Sequence, residues 1–364
     1  MNKKRSECPK CIFERETGFH LFVTDIYVDG DGHESEMRWI PKFQACQALS
    51  SLTAPATRLG TIGGWFNPKK IKPEWTLGTD YVTATMGGYW EDMWLNSAHD
   101  ATRKSRGTVC NGKQAYISQR GVAPMVNQNI AHFREHLAAR FERGGFAGSG
   151  GCVNWSGKGG LTLNVYWEEL RIWAEINDWT LRGNTNGYNA QGRIPSSHLD
   201  PNETGVIDES FSENYGYSIT GGGPRSWDIP VGDFCGNRWE FTDGLRLKDG
   251  VIHSSGKTIN PWTKADDGYQ HKAFKNTGLK LTGVESGQSI ASYRTEDSIN
   301  LHGIPASSVE AGEGAGIWYW KSGETIALRG GSSYYGPRCP GALYFDIAPW
   351  YFFNDVSARA VLVP

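Results

Sequence analysis

Helical periodicity is confined to two stretches of this sequence, which limits the folds that the chain can adopt. The first stretch runs from Asn127 to Arg143, with Asn127 or Asn129 as a cap and Gly144-Gly145 as a stop. The apolar residues at helical spacing are Ile130, Phe133, Leu137 and Phe141. Two amphipathic helices on an otherwise irregular chain of 364 residues need a sheet to pack against.

The second helical stretch begins at Thr162 or Asn164, either of which can cap it, and continues to about Asn177. One face carries Trp167, Leu170, Trp173 or Ala174, and Asn177. The Gly/Ser-rich segment 144–160 between the two helices is expected to be a flexible surface loop.

Three segments of the sequence carry strand patterns and are predicted to form this sheet. Residues 236–252 contain three short alternating runs separated by Asp-Gly turns, which predicts a meander. Ile317–Trp320 and Thr325–Leu328 predict a hairpin about Ser322-Gly323, and Gly87–Trp94 predicts a half-buried strand. The polar segment 253–315 is interpreted as a long insertion. The fold class expected from these patterns is α+β with short antiparallel sheets.

Residues 1–80 are predicted to form an N-terminal extension or small subdomain. His20–Val28 and Glu36–Ile40 predict two strands joined by a turn at Asp29–Gly32. The Ser/Thr/Ala/Pro stretch Ser50–Thr57 then predicts a loop or linker. The pattern becomes denser from Tyr81, so we place the main domain at 81–364.

Charge and hydropathy exclude two classes of partner. A formal net charge of -2 gives no basic field for a nucleic-acid backbone, so no nucleic-acid partner is expected. No apolar run approaches the length of a membrane span, and no membrane insertion is expected. The start, Met1–Cys8, lacks the apolar segment of a signal peptide. We therefore expect cytoplasmic synthesis, with the product either kept there, carried on a virion or displayed on a surface.

No metal site, cofactor or catalytic group is predicted. Seven cysteines, an odd number, are scattered along the chain and do not form a disulfide framework. Cys8 and Cys11 make half of a zinc site without a second pair nearby. His132 and His136 have metal-like spacing, but no Glu follows in a metalloprotease pattern, and we expect a solvated or capping role.

The segment between Ser333 and Asp355 is dense in aromatic residues and is interrupted by Gly and Pro. It shows neither a two-residue nor a helical period, so we expect an irregular loop. Rigid aromatic rings among small polar residues are typical of a paratope. The alternative is a loop folded into the core, because aromatic residues are usually buried. Trp350–Phe353 cannot place all four rings on one side, so part of this run is expected to be exposed.

Several short motifs carry a family resemblance. They are Gly87–Trp90, Gly121–Pro124, Tyr166–Leu170, Arg182–Asn186, Gly236–Phe241, Leu328–Ser332 and Ala358–Arg359. In type and order they resemble the variable proteins of diversity-generating retroelements, within the formylglycine-generating-enzyme branch of the C-type lectin fold. The resemblance covers roughly residues 81–364, and Trp39–Phe43 is similar to an N-terminal segment of some of these proteins.

The resemblance implies that a C-terminal region, about residues 329–360, is rewritten by adenine-directed mutagenesis, typically at Asn codons. An AAC codon changed only at its adenines never gives Lys, Glu, Gln, Met or Trp. Lys, Glu, Gln and Met are absent between Ser333 and Asp355, although all four occur elsewhere in the chain. Trp350 departs from this pattern and must come from the template or from another codon.

The resemblance also implies roles for individual residues. The ligand-binding, variable positions would be Ser333, Tyr334, Tyr335, Arg338, Cys339, Tyr344, Asp346, Trp350, Tyr351, Phe352, Phe353 and Asp355. The structural scaffold would include Gly236, Asn237, Trp239, Arg329, Gly330, Gly331 and Arg359, with Arg329-Gly-Gly and Ala358-Arg359 as the fixed ends of the loop. The expected partner is a variable protein or glycan ligand, bound without chemistry.

Two alternative functions remain open. An oxidase of the formylglycine-generating type uses a close cysteine pair to hold copper, but Cys339 stands alone and Cys235 lies on another segment. A calcium-dependent sugar lectin needs a Glu-Pro-Asn-like or Gln-Pro-Asp-like loop followed by Trp-Asn-Asp, and the sequence contains neither. The enzyme alternative therefore depends on fold analogy alone.

Overall fold

Most of the fold is built from strands. The computed structural model describes residues 21–48, 65–70, 81–108, 116–149, 153–154, 157–177, 219–221, 231–261, 263–265, 268–270, 273–281, 317–319, 322–332 and 343–364. Within these ranges the chain forms mostly antiparallel sheets and two α-helices, which confirms the predicted α+β class. Neither of those helices is long and apolar enough to cross a membrane.

The helices are α1 (Ile130–Arg140) and α2 (Asn164–Ile176). The strands are β1 (Thr24–Asp29), β2 (Glu34–Ile40), β3 (Phe43–Ala48), β4 (Trp65–Phe66), β5 (Tyr81–Met86), β6 (Tyr89–Asp92), β7 (Asn96–Ser97), β8 (Ile117–Ser118), β9 (Gly144–Phe146), β10 (Val153–Asn154), β11 (Lys158–Leu161), β12 (Trp239–Lys248), β13 (Val251–Ser254), β14 (Thr263–Ala265), β15 (Gly268–Gln270), β16 (Lys275–Lys280), β17 (Ile317–Tyr319), β18 (Glu324–Arg329), β19 (Leu343–Ile347), β20 (Val356–Ala358) and β21 (Ala360–Val363).

The first large sheet has the order β10-β9-β1-β2-β6-β21-β11, and its pairs are antiparallel. The second has the order β16-β13-β12-β18-β19-β17, with β20 added in parallel to β12. Residue 359 separates β20 in the second sheet from β21 in the first. The chain therefore crosses from one sheet to the other at Arg359.

The two helices fill the core against these sheets. On α1, Phe133 and Leu137 are buried with Phe241 of β12 and Ala358 of β20. On α2, the buried residues face Ile40, Tyr89 and Val361 of the first sheet. The opposite face of the second sheet is covered by a separate cluster, which contains Leu245, Leu247, Ile252, Leu281, Tyr319, Ala327, Leu343 and Phe345.

The N-terminal hairpin forms as predicted. β1 and β2 pair antiparallel, and the carboxylate of Asp29 accepts hydrogen bonds from the N–H groups of Asp31 and His33, each at 2.9 Å. β2 also pairs with β6, and β3 pairs with β5. The boundary expected near residue 80 therefore does not separate two sheets. The predicted loop at Ser50–Thr57 and the Cys8/Cys11 pair lie outside the described residues.

Helix α1 also agrees with its prediction. The Asn129 side chain caps it by accepting a hydrogen bond from the His132 N–H at 3.0 Å. The expectation for the two histidines is only half right. His132 is exposed and contacts Gln128, whereas His136 is buried and its ring lies 4.5 Å from that of Tyr116.

Helix α2 begins differently from the prediction. Its N-cap residue is Leu163, with no side-chain cap. Thr162 precedes the cap, and the Asn164 side chain instead accepts a hydrogen bond from Arg329. The helix is buried on nearly every side because it packs against both large sheets, so the predicted amphipathic face is not distinct. Tertiary contacts replace the local cap here.

The prediction of a flexible loop at 144–160 is wrong. This segment contains β9, β10 and the start of β11 in the first sheet. Gly144 adopts φ +150 and lies so close to β1 that an added Cβ would meet the Val28 carbonyl oxygen at 2.3 Å. The glycines therefore permit close strand packing rather than flexibility.

Two strand predictions need correction. The expected three-strand meander is two strands, because Asp243-Gly244 forms an irregularity within β12 rather than a turn. The turn at Asp249-Gly250 does connect β12 to β13. The predicted hairpin of β17 and β18 is also wrong, since β19 lies between them and pairs with both. Most of the polar segment 253–315 lies outside the described residues.

Candidate functional site

The C-terminal part of the chain combines a strand with an exposed loop. In β19, Leu343, Phe345 and Ile347 are buried, while Tyr344 and Asp346 on the other face are half-buried. The expectation of an irregular loop throughout 333–355 is therefore wrong for these five residues. The two-residue period was hidden because the half-buried Tyr344 is as aromatic as its buried neighbour Phe345.

The loop after β19 exposes three consecutive aromatic side chains. Trp350, Tyr351 and Phe352 are 68%, 53% and 64% exposed. Phe353 is half-buried and packs on the cluster between α1 and the second sheet. The expectation that part of this aromatic run is exposed is confirmed, and the division falls between Phe352 and Phe353.

The backbone of this loop is held by hydrogen bonds to itself and to the scaffold. The Tyr351 N–H donates to the Ala348 carbonyl at 3.0 Å. The Phe353 carbonyl accepts from the Asn127 N–H at 2.8 Å, and the Asp355 carbonyl accepts from the Trp239 N–H at 2.8 Å. These backbone bonds do not involve the side chains of residues 350–352, so replacing those side chains removes none of the bonding atoms.

The half-buried face of β19 packs on an aromatic residue of the second sheet. Trp239 is buried, and its ring stacks on Tyr344 with centroids 5.2 Å apart. The Tyr344 hydroxyl donates a hydrogen bond to Asp346. Partial burial raises the pKa of Asp346, and this hydrogen bond opposes the rise.

The expected scaffold residue Arg359 is fully buried at the crossing between the sheets. Its Nε and Nη2 atoms donate to the Glu240 carboxylate at 2.6 and 2.8 Å. Its guanidinium also donates to the carbonyls of Asp92 and Gly232 at 3.2 and 3.0 Å. One side chain therefore links β12, β6 and the segment before β12.

Arg329 closes the other end of the C-terminal segment. It is fully buried, donates to Asn164 at 2.7 Å, and lies 3.3 Å from the Glu168 carboxylate. Its guanidinium carbon stands 4.9 Å from the Trp167 ring centroid. It therefore fixes the end of β18 to the first turn of α2.

The glycines after Arg329 fit a special backbone. Gly330 and Gly331 adopt φ +81 and +71, and a Cβ on Gly330 would meet the Phe234 carbonyl oxygen at 2.9 Å. The Gly330 carbonyl accepts from the Gly236 N–H at 2.8 Å. Gly236 and Asn237 also have positive φ, at 72 and 60. The hydrogen bond between Gly236 and Gly330 joins these two turns just before the start of β12.

Seven of the twelve predicted ligand-binding residues lie in the part of the chain that the structure describes. Ser333, Tyr334, Tyr335, Arg338 and Cys339 lie outside the described residues. Among the described positions, Trp350, Tyr351 and Phe352 are exposed, whereas Tyr344, Asp346, Phe353 and Asp355 are half-buried. Tyr344 and Phe353 both pack on the core cluster between α1 and the second sheet. The sequence analysis missed Arg238, which is fully buried beside Asp355 and donates to the Asn354 carbonyl.

A cluster of buried carboxylates surrounds Arg359. Burial raises the pKa of Glu91 well above its ordinary range and raises that of Asp233 to about 7. The Gly221 N–H, at 2.6 Å, and the charge of Arg359 oppose the rise at Asp233. Among the described residues, no three His, Cys, Asp or Glu side chains come together as a metal site would require.

No protein-family model and no curated protein matches this sequence. The arrangement described above presents aromatic side chains on a backbone that other residues hold in place. Such an arrangement is suited to binding.

We predict that replacing Arg359 by Met lowers the free energy of unfolding by about 3–5 kcal/mol, because Glu240 is left buried without its partner. Arg143→Met is the matched control, since Arg143 is 76% exposed and lies 3.9 Å from Asp31. The control should change stability by less than about 0.5 kcal/mol. Urea denaturation at neutral pH measures both values, and equal losses would contradict the assigned role of Arg359.

We predict that Asp233 makes the fold less stable as the pH rises. Its pKa of about 7 in the folded chain exceeds the ordinary value of 3.8, so the folded state retains a proton that the unfolded state has lost. The stabilisation is complete below pH 3.8 and is lost as the pH rises to about 7.

Asp233→Asn removes this titration. The free energy of unfolding of this variant, relative to the parent, should rise by up to about 4 kcal/mol between pH 4 and pH 8. The exposed Asp31→Asn variant serves as the control. Denaturation series across this pH range measure the difference, and a constant difference for Asp233→Asn would show that its carboxyl group is not protonated in the fold.

Proposed function

We propose that this protein binds ligands, without chemistry, through a C-terminal surface formed by Trp350, Tyr351 and Phe352. The observation that carries the proposal is the exposure of three consecutive aromatic side chains on a backbone with its own hydrogen bonds. Exposed aromatic patches of this kind usually mark interaction sites.

The energetics of the aromatic rings favour binding over a structural role. Large rings provide much contact area at a low cost in conformational entropy, and they dominate the binding energy of many interfaces. Trp350, Tyr351 and Phe352 contribute little to the stability of the fold, because more than half of each side chain is exposed to solvent. A partner that covered them would recover the free energy of apolar burial.

We further propose that the C-terminal region, about residues 329–360, is diversified, on a scaffold with the C-type lectin fold. Two observations support this. The side chains on the C-terminal surface do not form the backbone hydrogen bonds of the loop. The ends of the region carry the buried residues Arg329 and Arg359. A loop of this construction accepts many side chains at little cost to folding. Its ligand is then a protein or a glycan that varies with the loop.

We predict that the triple variant Trp350→Ala, Tyr351→Ala, Phe352→Ala retains the free energy of unfolding of the parent to within about 1 kcal/mol, since its rings are exposed. Phe353→Ala is the matched control. It should lose more, about 1–3 kcal/mol, because its ring packs on the core. Thermal and urea unfolding measure both, and a large loss in the triple variant would show that these rings belong to the core.

Binding is tested by selection from two displayed libraries. The first randomises Trp350, Tyr351 and Phe352, and the second randomises three exposed positions away from the loop, namely Asp31, Glu142 and Arg143. Selection against a panel of purified soluble proteins should yield specific binders from the first library and none from the second. Binders from neither library, or equally from both, would contradict the proposed surface.

Diversification is tested by sequencing the DNA beside the gene. A near copy of the codons for residues 329–360, differing almost only at adenines and lying next to a reverse-transcriptase gene, is the expected result. Its absence would leave a binding protein with a fixed loop.

A further inference from the structure

The start of β12 and the start of β20 lie side by side, which places two charged residues opposite each other. Trp239 pairs with Val356 in a parallel register, and Arg238 and Asp355 each come one residue earlier. The charge of Arg238 acts on the Asp355 carboxylate, opposing the effect of burial on it. The two residues therefore meet where the aromatic loop rejoins the second sheet.

Arg238 also contacts the loop backbone. Its Nη1 donates to the Asn354 carbonyl, and the next residue, Trp239, donates its N–H to the Asp355 carbonyl at 2.8 Å. Arg238 itself is fully buried. A buried guanidinium that donates to a carbonyl holds that carbonyl in place, because its donors lie in one rigid plane.

The position of Asp355 differs from that of a contact residue. Its side chain is half-buried beside Arg238, whereas Trp350, Tyr351 and Phe352 are exposed. The sequence hypothesis grouped all four as ligand-binding positions. The structure divides them into residues that face outward and one that faces the scaffold.

We infer that Arg238 and Asp355 are positioning residues, which hold the loop in the conformation that presents Trp350, Tyr351 and Phe352. This inference rests on the proposed function, since it concerns the same surface. It assigns a role to Arg238, which lies outside the predicted variable region, and it removes Asp355 from the residues that contact ligand. Specificity then depends on the outward side chains, and affinity depends also on this pair through the order of the loop.

Hydrogen exchange of single amides, followed by NMR on the full chain, tests this inference without any ligand. The N–H groups of Asn127 and Trp239 are the reporters, because both donate to carbonyls of the loop. Arg238→Met should accelerate their exchange by about tenfold or more, since a charge-assisted hydrogen bond to the loop is lost. The amides of β18 away from the loop should keep the parental rate.

Two further variants separate positioning from a general structural effect. Arg246→Met is the matched control, because Arg246 lies on β12, which Arg238 directly precedes, but pairs with Glu324 at 3.0 Å, away from the loop. It should leave the reporter amides unchanged. Arg238→Lys keeps the charge and should restore part of the protection. If exchange in Arg238→Met rises equally in β18, or does not rise at the reporters, the inference is wrong.

A double-mutant cycle tests whether the two residues act together. Asp355→Asn alone should accelerate exchange at the same reporters, and its combination with Arg238→Met should add less than about twofold to the single Arg238 variant. Independent effects would overturn the pairing. Since these measurements need no ligand, their failure is distinct from a failure of library selection, which would contradict the proposed function instead.

Discussion

The ion pair of Arg359 with Glu240 is the interaction on which the rest of this structure depends. Arg359 is the single residue between β20 and β21, where the chain leaves the second sheet and enters the first. Its guanidinium makes four hydrogen bonds, two to Glu240 and two to backbone carbonyls, one of them from β6. The neighbouring Ala360 N–H donates to Asp92, which also accepts from Arg140 of α1. Both sheets and α1 are thus joined around one buried charge, whose cost of desolvation is offset only while all partners are present.

The same scaffold accounts for the properties of the C-terminal surface. Arg329 fixes the end of β18 to α2. Trp239 of β12 stacks on Tyr344, and its N–H group binds the Asp355 carbonyl at the end of the loop. The outward residues take little part in these contacts. Under the proposed function, stability and recognition depend on different residues within one short segment, so that one can change without the other.

Sequence reasoning succeeded where the local signal was strong. The hairpin of β1 and β2 and the helix α1 carry their own turn and cap residues, Asp29 and Asn129, and both formed as predicted. It failed where distant contacts decide the structure. Strand β19 inserts between β17 and β18, a pairing that no local pattern encodes. Helix α2 begins after Leu163, which has no polar side chain to cap it, and Asn164 binds the distant Arg329. At the site, the aromatic run was evident from the sequence. The role of Arg238 was not, since its partners lie more than a hundred residues away.

The place of β21 in the first sheet has a consequence for biosynthesis. This strand follows the other strands of its sheet in the chain, yet it lies inside the sheet, between β6 and β11. The sheet cannot close until residues 360–363 have left the ribosome, and a chain lacking them would present two unpaired strand edges, which invite aggregation. A gene altered within the codons of the aromatic loop keeps β21 only while its reading frame is kept. A frameshift within the codons of the aromatic loop would therefore also remove β21, and the first sheet of that product could not assemble.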